Sequence, residues 1–149
     1  MSVAFDPAAD YPLGTRRPDL IRTPGGQSLD QLTLEALRAG RLAAEDMRAT
    51  ANTLELQAAV AHAAGRPALG ANLERAAELT AVPDDVVLDV YTALRPHRSS
   101  GEELERWADR LAEGFHAPLT AAFVREAKSV YAKRGLLSEV DGQAEPPSV

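Results

Sequence analysis

Proline and glycine punctuate this chain at intervals that leave room for little except short helices. Pro67, Pro83 and Pro118 each open a stretch of apolar residues at helical spacing, and Gly40, Gly65, Gly114 and Gly135 each follow one. Proline suits a first helical turn, where its missing N–H would have no partner anyway, and glycine accepts the left-handed residue that ends a helix. The pattern predicts a helix from about 51 to 64, with Thr50 as its N-cap. A second runs from Pro67 to about Thr80, with Leu69, Leu73, Ala76 and Ala77 on one side. Pro83 opens a third, whose stripe is Val86, Val87, Val90, Tyr91 and Leu94 and which Pro96 stops. Ser99 and Ser100, followed by Glu102 and Glu103, give a capping-box signature for a fourth helix. That helix carries Leu104, Trp107, Ala108 and Leu111 as far as Gly114. Pro118 begins the last, with Leu119, Ala122, Phe123, Ala127, Val130 and Tyr131 at helical spacing. Upstream, Leu29, Leu32, Leu34 and Leu37 predict a short helical segment closed by Gly40, and Ala43–Met47 a single turn. No segment alternates with period two, and 28 alanines imply closely spaced axes. The expected fold is all-α, a compact array of about five or six short helices.

The two ends read differently. Residues 1–27 hold four of the ten prolines, with Phe5, Tyr11, Leu13, Leu20 and Ile21 in no periodic order. Proline fixes φ and disfavours helix in the residue before it, so an extended arm is expected there. A single helical domain is expected over 28–137. Residues 138–149 contain acids and prolines but no base, which predicts a flexible acidic tail.

The chemical inventory is thin. A chain without cysteine has no disulfide scaffold, thiolate metal site or thiol nucleophile. A net charge of −6 argues against nucleic acid, which needs a clustered basic face. No apolar run is long enough to span a membrane, and Met1–Asp6 has neither the basic nor the hydrophobic part of a signal peptide. His62, His97 and His116 make no metal-ligand spacing. Arg95-Pro-His-Arg-Ser99 admits two readings: an anion-binding nest, or residues that join two helices and touch another chain. Asp84–Asp85 and Glu45–Asp46 read as acids placed to complement helix starts rather than as acid–base pairs. Glu105 and Asp109 repel within a charge run around Trp107 that reads mostly as a solvated face. Neither a phosphate loop nor a G-x-S-x-G elbow is present. These residues describe a helical partner chain with no recognisable active site of its own.

Several blocks in order carry a family resemblance: Asp10-Tyr-Pro-Leu13, Glu45-Asp-Met-Arg48, Thr53-Leu54 and Leu56-Gln-Ala58. The longest is the twelve-residue run Glu74-Arg-Ala-Ala-Glu-Leu-Thr-Ala-Val-Pro-Asp-Asp85. Further blocks are Tyr91, Ala93-Leu-Arg-Pro96, Arg98-Ser99, Glu103-Leu104 and Ala121-Ala-Phe-Val-Arg-Glu-Ala127 with Tyr131. Together, over about Asp10 to Leu137, the chain resembles the small (gamma) subunit of adenosylcobalamin-dependent diol and glycerol dehydratases. The resemblance implies a heterohexamer with two copies each of a large (alpha), a medium (beta) and a small subunit. It implies that the large subunit, a TIM barrel, holds substrate and catalytic residues, and that adenosylcobalamin lies between large and medium chains. The adenosyl radical there abstracts a substrate hydrogen, and loss of water turns a 1,2-diol or glycerol into an aldehyde. It assigns this chain no catalytic, cofactor-binding or metal-binding residue. The alternative is a free-standing helical adaptor descended from such a subunit. Contacts with the large subunit are expected from Tyr11, Pro12 and Leu13 in the arm and from Arg95, Pro96 and Arg98 between helices. A cytoplasmic complex is expected. Association with a bacterial microcompartment stays possible through another subunit, but is not expected through this chain, because nine residues before Asp10 are too few for the amphipathic helix such targeting would need.

Overall fold

Residues 4–138 are described in the computed structural model. The chain divides into two compact units, with the boundary between Thr80 and Ala81, where the sequence reading has one domain over 28–137.

In the first unit the prolines start turns rather than keep the chain extended. A four-residue helix, α1 (Leu13–Arg16), follows Pro12, whose carbonyl accepts the Arg16 N–H at 2.9 Å. Pro18 then occupies the first position of a 3₁₀ turn, Pro18–Leu20. The expectation of a non-helical arm is corrected on this point: proline breaks helix interiors but is compatible with a first turn, and these turns are too short to have an interior. The leucine-rich stretch is likewise split. A 3₁₀ turn (Leu29–Gln31) precedes α2 (Leu34–Arg38), because Thr33 caps a new start by accepting the Ala36 N–H at 3.0 Å. A further 3₁₀ turn, Ala44–Met47, matches the expected single turn.

Two long helices complete this unit. Thr50 caps α3 (Ala51–Ala63) through the Thr53 N–H, as its position predicts. Gly65, at φ +70°, reverses the chain, and Pro67 begins α4 (Pro67–Leu79). The helices approach closely because Ala58, Ala61 and Ala77 are buried. The His62 ring lies over Gly70, where a Cβ would collide with it, and His62 Nε2 is 3.0 Å from Glu74 Oε1.

The second unit contains α5 (Asp84–Ala93), α6 (Gly101–Asp109) and α7 (Pro118–Arg134). Ser100 and Glu103 form the predicted capping box: Glu103 N–H donates to Ser100 Oγ at 3.2 Å, and Ser100 N–H to Glu103 Oε2 at 2.7 Å. The helix expected to reach Gly114 widens into a π turn at Arg110–Gly114. There the Arg110 guanidinium lies 5.3 Å from the Trp107 ring centre and 5.7 Å from that of Phe115, within cation–π range. Leu104, Ala108, Leu111, Ala117, Ala121 and Val124, each no more than 1% exposed, form the centre of the core. Leucine and valine side chains interleaved with alanine bring α6 and α7 together at short range.

Three stripe residues depart from expectation. Tyr91 is 74% exposed, and on α7 the buried positions are Thr120, Ala121 and Val124, whereas Leu119 and Phe123 are exposed. Of the expected tail, Ser138 is tied back through its N–H to Ser99 O at 2.9 Å; the remainder lies outside the described residues.

Candidate subunit interface

The residues expected to meet another chain fall in both units. In the first, Tyr11 is 62% exposed and Pro12 is also exposed, whereas Leu13 is 6% exposed. Leucine at the start of α1 therefore anchors the turn in its own unit and leaves Tyr11 and Pro12 outward. The flanking chain is tied on itself: Arg17 Nη1 donates to Asp10 Oδ2 at 3.0 Å, and Arg16 Nη1 to Ala9 O at 2.6 Å. The Asp6 N–H also donates to Asp10 Oδ2. That bond and the Arg17 guanidinium hold the Asp10 carboxyl below the usual carboxylate range, against the opposing effect of burial. Beside this segment an open groove of about 680 Å³ is lined by Tyr11, Leu13 and Ile21 on one side and by Val60, Leu69 and Leu73 of α3 and α4 on another.

In the second unit, α5 ends in a turn fixed by backbone bonds. Arg98 N–H donates to Arg95 O at 3.2 Å, and His97, at φ +59°, donates its N–H to Leu136 O at 2.7 Å. The Tyr131 hydroxyl holds Leu94 O at 2.5 Å. Arg95, Pro96, His97 and Arg98 are all exposed on this rigid support, and neither arginine pairs with a carboxylate among the described residues. An anion nest needs convergent free N–H groups. Those of His97 and Arg98 are already engaged, so the geometry favours side-chain contacts over a nest.

Sequence reasoning missed the surface just before this turn. Leu88, 65% exposed, and Tyr91 stand three residues apart on α5, and Arg95 follows at the next helical interval. Val86, Val90 and Ala93 are the residues of α5 that turn inward. The signal for the exposed face lies in the spacing itself: α5 has too many apolar residues for one stripe.

The family model described as dehydratase small subunit matches residues 7–138, which takes in every helix from α1 to α7 and all six expected contact residues. The chain belongs to the dehydratase small-subunit family. It is 49% identical over 133 residues to the propanediol dehydratase small subunit of Salmonella typhimurium (strain LT2), covering 89% of this chain and 77% of that one. It is 48% identical over 132 residues to the propanediol dehydratase small subunit of Citrobacter freundii, with the same shares covered. In this dehydratase small subunit no group of three or more His, Cys, Asp or Glu side chains among the described residues is arranged to hold a metal ion.

Proposed function

We propose that this chain is the small subunit of an adenosylcobalamin-dependent diol or glycerol dehydratase, and that it supports assembly by packing on the large subunit. The observation that carries the reading is identity of about half across nearly the whole chain to propanediol dehydratase small subunits. Under this reading the complex is a cytoplasmic heterohexamer with large and medium subunits, and the radical chemistry belongs to those chains. Apart from Tyr11, Gln57 and Arg66, the groove beside α1 is lined by apolar residues. That set does not fit a corrinoid with its amide-rich rim.

The proposed contacts are Tyr11 and Pro12, with Leu13 as their anchor, and Arg95, Pro96 and Arg98, extended along α5 by Tyr91 and Leu88. Tyrosine and arginine are the residue types that dominate binding energy when a partner covers them. Both groups stand on backbone already fixed by internal bonds, so little ordering is lost when they dock.

The test is coexpression with candidate large and medium subunits, followed by purification of the complex and an assay of aldehyde formation from a 1,2-diol with adenosylcobalamin. Omitting this chain lowers assembly or activity if the reading is right. Full activity and an intact complex without it overturn the reading.

A further inference from the structure

A buried carboxylate ties the Pro-rich segment to the rest of the first unit. Asp46, 6% exposed, lies in the Ala44–Met47 turn. Its Oδ1 accepts the Thr23 hydroxyl at 2.5 Å and the Gly25 N–H at 3.2 Å, and its Oδ2 accepts the Ala43 N–H at 2.9 Å. Thr23 is buried too, and it organises its own loop. Its Oγ accepts the Gln27 N–H at 3.0 Å, its N–H donates to Gln27 O at 2.9 Å, and its carbonyl accepts the Gly26 N–H at 2.9 Å.

No cation pairs with Asp46 among the described residues, so these donors alone compensate its charge. Such an arrangement depends on every donor being present, since a buried charge that loses partners is strongly disfavoured. Gly25 makes the close approach possible, because a Cβ there would run into the carboxylate. The segment before the loop is held together by the Asp10–Arg17 and Arg16–Ala9 bonds and by buried Leu13. Among the described residues, its other long-range side-chain bond is the weak one from Asn52 Nδ2 to Leu20 O at 3.5 Å.

We propose that Asp46 is the positioning residue of this strap: it latches residues 23–27 in place and so sets where Tyr11 and Pro12 stand. The last step, that this position matters for assembly, rests on the interface reading above.

The test compares wild type, Asp46→Ala and Gly25→Ala as full chains, with hydrogen exchange followed residue by residue and with coexpression of the large and medium subunits. Gly25→Ala keeps the carboxylate but removes its seat, so it serves if Asp46→Ala does not fold. The expected result is exchange at the Gly25 and Gln27 amides faster by about tenfold or more, with α3 and α4 amides unchanged. Capture of the partner subunits falls, and adding Tyr11→Asp to either variant lowers it no further. Protected strap amides in both variants overturn the proposal. So does uniform loss of protection through α3 and α4, which makes Asp46 a general stabiliser rather than a latch. If strap exchange is faster but capture unchanged, Tyr11→Asp alone decides: lower capture in that variant overturns the proposal that Asp46 sets where Tyr11 and Pro12 stand, and unchanged capture leaves the latch standing and overturns the assignment of Tyr11 as a contact.

Discussion

Arg125 on α7 holds Glu105 and Asp109 of α6 together, its Nε 2.7 Å from Glu105 Oε1 and its Nη2 2.6 Å from Asp109 Oδ1. Lys128 adds a second bond to Glu105. Two acids that repel along one helix become a fork that grips the neighbouring one. All of these groups are partly solvated, so the fork is screened by salt. Arg125→Ala is expected to lower the melting temperature modestly at low ionic strength, with the difference shrinking as salt is added.

The same fork has a pH signature. Hydrogen bonds from Lys128, then from Arg125, hold the Glu105 carboxyl below its ordinary range, against the opposing effect of desolvation. A carboxyl depressed in the folded state stabilises it above the unfolded value, and that contribution disappears as pH falls through the folded value. Thermal melts carried from neutral pH into the acid range should therefore show a loss of stability that is shallower in Glu105→Gln. An identical acid limb in the variant refutes the assignment.

The core of the second unit makes opposite demands at neighbouring positions. Leu111→Ala should cost about 2–5 kcal/mol by opening a cavity. Ala108→Leu should cost about 1–3 kcal/mol by forcing α6 and α7 apart. Ala122, exposed on α7, should accept leucine within about 0.5 kcal/mol. Denaturant titrations of the three variants separate these outcomes.

At Gly70 the expected effect depends on a second residue. Alanine is preferred to glycine inside a helix by about 1 kcal/mol, but here the new Cβ meets the His62 ring. Gly70→Ala alone should displace the ring, break the bond to Glu74 and change stability little. In a His62→Ala background the same substitution should stabilise by about 1 kcal/mol. A double-mutant cycle measures the coupling directly.

Tyr91→Asp and Leu88→Asp test the face of α5. Both side chains are exposed, so circular dichroism and melting of the chain should stay unchanged. Capture by the large subunit should weaken by about tenfold or more, as for a truncated hot-spot residue. Undiminished capture removes α5 from the interface.

Helix starts and stops are legible in the chain because their causes are local. Ser100 and Glu103 cap within three residues of one another, and Pro67, Pro118 and Gly65 act through their own backbone geometry. The direction in which side chains point is less legible. Tyr91 has the spacing of a core residue, but only the neighbouring elements decide which of two adjacent stripes is covered. Asp46 reads locally as an acid at a helix start, and its partner Thr23 lies 23 residues away. Arg125 stands 20 residues from Glu105 and 16 from Asp109, so the repulsion along α6 is real but incomplete as a description of that face. The strap departs from an extended arm for a related reason: proline forbids a helix interior, and a one-turn helix has none.

Leu88 and Tyr91 also bear on how the chain must be supplied. A side chain that is meant to be covered by a partner is sticky until that partner arrives. If α5 is the docking face proposed here, synthesis of this chain in excess of its complex leaves an apolar surface free to recruit the wrong neighbours. Under the proposed reading, α5 couples the fate of the chain to gene dosage, and balanced translation with the other subunits becomes part of what keeps it in solution.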